Sequence, residues 1–295
     1  MTVPAVLSDL VGTRRLPAGF ADRARAHLSG ESMPVQPRDA ATVVLLRDGA
    51  AGPEAYCLRR QRTMAFAPGM FVFPGGSVDP RDAEVDTYGW VGPAPSEWGA
   101  ALSASEPLAR ALVCAAVRET FEESGVLLAG TDADDVVADT SGDDWETDRR
   151  ALIARELAFG EFLTRRGLVL RADLLHTWTH WITPEVEPRR FDTRFFVAAL
   201  PTGQVTRDLL EEADHVEWVP VVEAVGRWTR GTMAMMPPTL ITIAEMSTYA
   251  SVAEVLAGAA GRTISPIQPQ VVVDGDVAEL VLPGDPGWPS SLGPA

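Results

Sequence analysis

A chain of 295 residues with 46% hydrophobic side chains is long enough for one large domain or two small ones, so an ordered globular protein is expected. Its net charge of −16 argues against a general nucleic-acid or anionic-membrane surface, because such surfaces bind phosphate through an excess of Lys and Arg. Two cysteines, no apolar run of bilayer length and no secretory signal lead us to expect a cytoplasmic protein without disulfides or a membrane partner.

The first part of the chain has the pattern of an arm followed by strands. Residues 1–38 form the predicted arm, with a short amphipathic helix over residues 18–28. Alternating apolar residues predict three strands, at 40–47, 54–61 and 70–73. The first two read as a hairpin, and the third runs into Pro74-Gly75-Gly76, where glycines allow a sharp turn of the backbone.

Three arginines, Arg59, Arg60 and Arg62, form the densest basic cluster of this region. Guanidinium groups match phosphate oxygens, so the functional interpretation is contact with an anionic substrate. The alternative is that some of them face water on an edge strand, because side chains alternate between the two faces. We expect one of the three to contact substrate.

A helix is predicted over residues 105–125, where apolar residues recur at intervals of three and four. Ser105 is placed to cap it, Pro107 is tolerated in its first turn, and Gly125 can end it in a left-handed conformation. The i, i+3, i+4 spacing near its end places three carboxylates on one side, those of Glu119, Glu122 and Glu123.

Three acids at the negative end of a helix dipole repel one another, so a compensating cation is expected. Arg118 is one candidate. A hard divalent cation is the better one, because Mg²⁺ takes carboxylate, water and phosphate oxygens as ligands. The alternative is an ordinary solvated acidic face, which is what most runs of charge are.

The pattern Arg-Glu-x-x-Glu-Glu-x-Gly-aliphatic that begins at Arg118 resembles the second half of the Nudix box, and Phe73-Pro74-Gly75-Gly76 resembles its opening. The spacing departs from the family, because 42 positions separate Gly76 from Arg118. In addition, the glutamate expected eight residues before the arginine is Arg110, and Thr120 holds a position that is usually aliphatic.

In that family the box is a loop, helix and loop that binds Mg²⁺ and cleaves a diphosphate joined to another moiety. The resemblance implies that Glu119, Glu122 and Glu123 hold Mg²⁺ or Mn²⁺ while Arg118 orients them. Family members often use one more acid outside the box as metal ligand or general base, and Glu212 is the best match. An ordinary exposed acid before a strand is the alternative reading of Glu212.

A long insertion inside the box is a feature of one branch, the peroxisomal coenzyme A diphosphatases, and here it spans residues 77–105. Its many turn formers predict a loop with a short helical turn, held to the body by tryptophans. A lid over the substrate, a dimer contact and mere decoration are the alternative roles. Further similarity to the branch lies at residues 179–184, 190–193, 218–220, 236–238 and 282–285.

The middle of the chain is predicted to hold a helical insertion over about residues 130–175. It contains an acidic surface loop and then helices with solvated charged faces at 145–157 and 161–166. Strands follow at 175–183 and 193–200. In the resembling branch this region lies close to the substrate, which makes His180, Phe191 and Arg194 candidate substrate contacts, although a lone histidine is more often structural.

The remaining predicted elements are a strand at 216–219, helices at 221–229 and 239–260, strands at 270–273 and 277–282, and a loose tail at 286–295. Strands flanked by helices without repeats predict an α/β (α+β) fold, a Nudix-type α/β/α sandwich around a mixed β-sheet with helical insertions. We expect one Nudix domain over residues 39–285.

The expected function is metal-dependent hydrolysis of a nucleoside diphosphate linked to another moiety, and the branch resemblance implies coenzyme A or an acyl-coenzyme A. The same acids would serve ADP-ribose, NADH or a dinucleoside polyphosphate, because the box handles the diphosphate and not its substituents. A nucleotide-binding regulator without activity is a further alternative that the altered spacing leaves open. The expected partner is a small nucleotide-type molecule and not a nucleic acid, and a homodimer is compatible with a sequence that does not decide the oligomeric state.

Overall fold

The computed structural model describes residues 16, 19–64, 66–84, 89–207, 213–283 and 285. Contacts divide the chain into two compact units. The larger holds the described residues of Asp39–Thr179 and Arg194–Ile264, and the smaller those of Met1–Arg38, His180–Thr193 and Ser265–Ala295. Residues 1–15 and 17–18 of the predicted arm, the tail 286–295 and the candidate acid Glu212 lie outside the described residues.

In chain order the described strands are β1 (Arg38–Gly49), β2 (Gly52–Arg60), β3 (Phe71–Val72), β4 (Gly75–Ser77), β5 (Gly89–Val91), β6 (Ala129–Gly130), β7 (Val169–Arg171), β8 (His176–Ile182), β9 (Phe191–Ala199), β10 (Ala213–Pro220), β11 (Pro266–Ile267), β12 (Gln270–Asp274) and β13 (Val277–Val281). The described α-helices are α1 (Phe20–Leu28), α2 (Pro95–Leu102), α3 (Glu106–Ser124), α4 (Asp143–Ile153), α5 (Phe159–Arg165), α6 (Val221–Thr229), α7 (Pro237–Met246) and α8 (Val252–Ala259). A 3-10 turn covers Pro80–Ala83.

The larger unit is built on a sheet of order β10-β2-β1-β9-β8, with β3 paired to β2 and β4 paired to β1. The predicted hairpin is confirmed, because β1 and β2 pair in antiparallel register from Leu46 opposite Ala55 to Gly49 opposite Gly52. Antiparallel pairs such as this one, and the parallel pair of β11 with β8, confirm a mixed sheet within an α/β fold.

Helix α3 lies in the core of the larger unit, packed on one face of the sheet. Small apolar residues from Ala109 to Val117 are buried around it, which explains why the helix is apolar on most of its circumference. Its predicted ends are confirmed at Ser105 and Gly125, the latter with a φ of 74° and an N–H that donates to Phe121 O at 2.9 Å. The Ser105 hydroxyl, however, makes no capping bond.

The insertion at 77–105 is more regular than the predicted loop. It contains the 3-10 turn, strand β5 and helix α2, and β5 pairs in parallel with β7. Trp98 is buried and meets Phe196 edge to face at 5.8 Å between ring centroids, so the expectation that a tryptophan fastens the segment is confirmed. Regular structure forms here because the strand finds a partner far along the chain, which the local turn-forming residues do not reveal.

The single helix predicted over 239–260 is wrong, because the chain forms α7 and α8 with a break between them. Ser251 caps α8 by accepting the Glu254 N–H at 3.2 Å, and the Glu254 carboxylate accepts the Ala250 N–H at 2.9 Å. These two bonds fix the start of α8 at Ser251, and a Ser-x-x-Glu signature for a helix start is present in the sequence. The apolar periodicity of the sequence continues across the break between α7 and α8, so by itself it does not reveal that break.

The smaller unit contains α1, β11, the hairpin of β12 and β13, and the ends of β8 and β9. The predicted strand pair is confirmed, with Asp274 opposite Val277 around Gly275, whose φ is 57°. No single helix among the described residues is long and apolar enough to cross a membrane, although α2 and α3, bent by 91°, pass that test together on length and composition.

Candidate active site

The box begins where β4 pairs with β1, Gly76 opposite Ala41. The Gly75 N–H donates to Glu123 Oε2 at 2.9 Å, which ties the loop to the end of α3. A Cβ atom on Gly76 would lie 2.5 Å from Glu119 Oε1. The second glycine is therefore required by close approach, because any side chain there would occupy the space of a box carboxylate.

Arg118 is the centre of the hydrogen-bond network at the end of α3. Its Nη1 donates to Glu119 Oε1 at 2.8 Å and to both carboxylate oxygens of Glu122 at 3.3 Å. Its Nη2 donates to the Ser77 carbonyl at 3.0 Å. The guanidinium thus holds two of the box carboxylates and the loop that opens the box, as expected for a residue that orients the acids.

Asp82 is the residue of this network that the sequence analysis missed. Its carboxylate accepts Arg118 Nε at 3.1 Å and Nη2 at 3.0 Å, a bidentate pair, while the Cys114 thiol lies 3.6 Å from Oδ1. The Asp82 side chain is 2% exposed and that of Arg118 is 11% exposed. The box spacing, counted back from Arg118, predicted an acid at the position of Arg110. The acid that meets Arg118 is instead Asp82, which lies near the start of the segment 77–105.

Two sequence signals could have found Asp82. It stands six residues after Gly76, and it follows Asp79-Pro80, where Asp79 accepts the Arg81 N–H and Asp82 accepts the Asp79 N–H in a capping box. The insertion proper therefore begins after Asp82, and the loop that opens the box has ordinary length up to that point. Arg110 instead lies over the Trp90 ring at 5.1 Å.

The local charges are unbalanced around Glu122. Burial and then the neighbouring Glu119 carboxylate raise the pKa of Glu122 to about 7, although Arg118 opposes this. Burial acts to lower the pKa of Arg118, but Glu119 and Asp82 outweigh it and the pKa is raised. One guanidinium shared by three carboxylates leaves the site with an excess of negative charge.

The three candidate arginines of β2 do not share one position. Arg60 follows Tyr56 and Leu58 on the face of the sheet that packs on α3, and its Nε donates to Phe66 O at 3.1 Å. Arg59 points to the opposite face, where it lies across from Phe71 and His215 and pairs with Asp214 at 2.6 Å. Arg62 is exposed. Strand alternation divides the cluster, as the alternative reading anticipated, but the edge strand it assumed is wrong because β2 pairs with β10 on one side and β1 on the other.

Arg194 is buried on β9, on the same sheet face as Phe196 and Ala198, which pack with α3 in the core. Its Nη1 donates to Asp39 Oδ1 at 3.1 Å, and the Asp39 carbonyl accepts the Val78 N–H at 3.0 Å next to β4. A short chain of contacts therefore links Arg194 to the opening loop of the box.

His180 and Phe191 belong to the smaller unit. The buried His180 imidazole pairs through Nε2 with Asp192, and the Phe191 carbonyl accepts the Thr183 N–H at 2.9 Å. Thr120, the departure from the aliphatic position, is buried and its hydroxyl donates to the Ala116 carbonyl at 2.7 Å. A hydroxyl is tolerated at that position because the helix itself satisfies it.

The fold, the box and its arginine network together define the class of protein. Residues 99–246, half of the chain, match the family described as the NUDT19 Nudix domain. The chain belongs to the Nudix hydrolase family, and the prediction of an enzyme that acts on phosphoanhydride bonds is confirmed. The matched span begins after Asp82, so it does not include the opening of the box. That opening is identified by the bonds of Gly75 and Asp82 to side chains of α3.

Within the family the chain resembles acyl-coenzyme A diphosphatases. It is 25% identical over 274 residues to the acyl-coenzyme A diphosphatase NUDT19 of Xenopus laevis, covering 80% of this chain and 71% of the frog protein. The human protein of the same name is 27% identical over 273 residues, covering 80% and 72%. A crystal structure of a Nudix hydrolase from Alicyclobacillus acidocaldarius superimposes with a TM-score of 0.65 at 30% identity, over 76% of this chain and 96% of that one.

Nudix hydrolases generally use divalent metal ions. Among the residues that the structure describes, no three Asp, Glu, His or Cys side chains converge on one point in the way a closed metal site requires. The donor set nevertheless fits a hard cation, because carboxylate oxygens of Glu119 and Glu122 lie within 3.3 Å of the same nitrogen of Arg118. Burial and then the Glu119 carboxylate raise the pKa of Glu122, and a bound cation would relieve the repulsion between the two carboxylates.

Proposed function

We propose that the protein hydrolyses the diphosphate of coenzyme A or of an acyl-coenzyme A. The observation that carries the proposal is the arrangement of the box carboxylates, Glu119 and Glu122 on Arg118 and Glu123 on the Gly75 N–H, in a chain that aligns over 80% of its length with acyl-coenzyme A diphosphatases. The products would be a pantetheine phosphate and an adenosine bisphosphate. Water would supply the new oxygen on one phosphorus as the bond to the bridging oxygen breaks.

The proposed ligands for Mg²⁺ or Mn²⁺ are Glu119, Glu122 and Glu123. A bound divalent ion would neutralise phosphate oxygens and lower the pKa of a nearby water. Arg118 would keep the carboxylates oriented, and the bond from the Gly75 N–H would keep Glu123 beside the opening loop. The proton of the attacking water would pass to a carboxylate oxygen of the box or to Glu212.

Positive charge for the substrate would come from a few arginines, because the chain as a whole carries −16. Arg194 is the best supported, since it lies on the box side of the sheet and its partner Asp39 contacts the strand next to the box. Arg60 is the preferred member of the β2 cluster for the same reason. His180 and Phe191 stay candidate contacts, and the cytoplasmic location stays a prediction.

Product analysis by chromatography tests the proposal. Coenzyme A, acetyl-coenzyme A, ADP-ribose, NADH and diadenosine polyphosphate would each be incubated with and without Mg²⁺ or Mn²⁺. We expect metal-dependent cleavage of the coenzyme A compounds, and Glu122→Gln should lower the turnover by orders of magnitude while leaving the far-ultraviolet circular dichroism unchanged. Cleavage of ADP-ribose or NADH in preference would keep the chemistry and reject the substrate.

The non-catalytic alternative rested on the altered spacing of the box. Asp82 restores the acid that the spacing seemed to lack, and it does so as a buried bidentate partner of Arg118. This favours an active enzyme over a binding module. If no compound of the panel is cut with either metal while a nucleotide raises the melting temperature, the binding module becomes the better description.

A further inference from the structure

The C-terminal turn of α3 is held by its cap at Gly125 and by two groups outside the box. The last four carbonyls of a helix have no partner within the helix, and near this end three carboxylates add to the negative pole of the dipole. Three of the terminal carbonyls are bonded as follows: Phe121 O by the Gly125 N–H at 2.9 Å, Glu122 O by Arg149 Nη1 at 2.7 Å, and Ser124 O by the Arg207 N–H at 2.9 Å. One of these donors is therefore a full positive charge, placed on the backbone of a box glutamate.

Arg149 comes from α4, a helix of the insertion at about 130–175. That helix was expected to present a solvated charged face, and this expectation is wrong for Arg149, whose side chain is 1% exposed. Glu146 holds it in place by accepting Nε and Nη2, each at 2.9 Å. A buried guanidinium with a bidentate carboxylate keeps one orientation, so its remaining donor is aimed at Glu122 O.

Glu146 also accepts a hydrogen bond from Arg207 Nη1 at 2.8 Å. The backbone N–H of the same Arg207 is the donor to the Ser124 carbonyl. Hydrogen bonds from Arg149 and from Arg150 lower the pKa of Glu146 to about 2, so it stays ionised near neutral pH. Arg150 bonds the same carboxylate, so three guanidinium groups meet one acid and the cluster of Arg149, Arg150, Arg207 and Glu146 is net positive. It lies against the end of the helix that carries the three acids.

We propose that Arg149, held by Glu146, is a positioning residue for the metal carboxylates of the box. It fixes the backbone of Glu122 and offsets the negative charge that Glu119, Glu122 and Glu123 place at the end of α3. This inference rests on the proposed metal-dependent hydrolysis. It assigns a function to the helical insertion, which would supply a cation to the backbone beneath the metal carboxylates.

Mn²⁺ binding to the full chain, followed by electron paramagnetic resonance of the free ion, tests the inference without any substrate. Three variants are compared: Arg149→Met, Arg149→Lys and Arg150→Met. Arg150 is the matched control, because it is the next residue of α4 and bonds the same Glu146 carboxylate at 2.8 Å with 69% of its side chain exposed. Near-ultraviolet circular dichroism, recorded below the melting temperature, ensures that only folded protein is compared.

We expect Arg149→Met to raise the Kd for Mn²⁺ by roughly 10–100-fold, the range found when groups that orient metal ligands are removed. Arg149→Lys should recover part of the loss, because it keeps the charge but cannot bond Glu146 and Glu122 together. Arg150→Met should leave the Kd within about twofold, since exposed charges contribute little.

Equal Kd values for folded Arg149→Met and Arg150→Met would overturn the inference and leave the proposed function intact. If Arg149→Met does not fold, Arg149→Lys decides, because a weaker Mn²⁺ affinity in that folded variant supports positioning and an unchanged affinity refutes it. Failure of the unaltered chain to bind Mn²⁺ would remove both the inference and the metal-dependent mechanism. Cleavage of the substrate panel then shows whether hydrolysis itself survives.

Discussion

The buried pair of Asp82 and Arg118 is the contact on which the box depends most directly. Its two charges have 2% and 11% of their side chains exposed, so neither is solvated by water to any useful extent. Removing one partner of a buried pair costs about 3–5 kcal/mol when the other charge is left unpaired, and the cost is smaller here because Glu119 and Glu122 still contact Arg118. Against a typical unfolding free energy of about 5–15 kcal/mol, this loss would be large.

We therefore predict that Asp82→Asn, which keeps the volume and removes the charge, lowers the free energy of unfolding by about 2–3 kcal/mol, the range for losing hydrogen bonds to a charged group. The turnover of the folded variant should fall by roughly 10–100-fold, because Arg118 loses the partner that orients it. Urea unfolding followed by tryptophan fluorescence measures the first quantity, and product chromatography at saturating metal measures the second.

The control is Glu84→Gln, which removes an exposed acid at the end of the same 3-10 turn. Substitutions at such exposed positions usually change stability by less than about 0.5 kcal/mol. If Asp82→Asn shifts the urea midpoint no more than Glu84→Gln does, the buried pair contributes nothing essential. The assignment of Asp82 as the acid of the box would then be wrong.

Two further predictions separate activity from stability. Gly76→Ala places Cβ 2.5 Å from the Glu119 carboxylate, a mobile group, so we expect a small change in Tm and a turnover at least about tenfold lower. In Gly75→Ala the Cβ lies 2.6 Å from the Ala41 carbonyl, which is backbone, so this variant should lower Tm itself. A larger loss of Tm in Gly76→Ala than in Gly75→Ala would contradict the geometry. Because the folded-state pKa of Glu146 is depressed to about 2, its stabilisation should be complete above about pH 5 and be lost as the pH falls towards 2. Urea midpoints of the unaltered chain and of Glu146→Gln should accordingly converge in acid, and a constant gap across that range would refute the linkage.

The insertions within this Nudix chain have structural roles that their composition does not suggest. The segment after Asp82 supplies β5, and β5 pairs with β7 from the second insertion, while α4 from that insertion supplies Arg149. The two insertions are therefore joined to one another and to the end of α3. Their shared support of the box explains how a chain with a long interruption can still hold Arg118 and the three acids together.

The sequence by itself determined the elements whose cause is local. The helix α3, its end at Gly125 and the spacing that places Glu119, Glu122 and Glu123 on one side all follow from periodicity and from the conformational freedom of glycine. The hairpin of β1 and β2 follows from alternation around a turn. These features depend on residues a few positions apart, and a single sequence contains all the information they need.

Only the tertiary structure decided which distant groups meet. Asp82 contacts Arg118 across 36 residues and Arg149 contacts Glu122 across 27, and in both cases an acid or base that looks ordinary in sequence becomes buried. Strand alternation alone separates Arg60 from Arg59, and the fold decided only which of the two shares the face that packs on α3. A charge is functional here because of what surrounds it after folding, since burial and a fixed partner, which no local pattern encodes, set its orientation and its pKa.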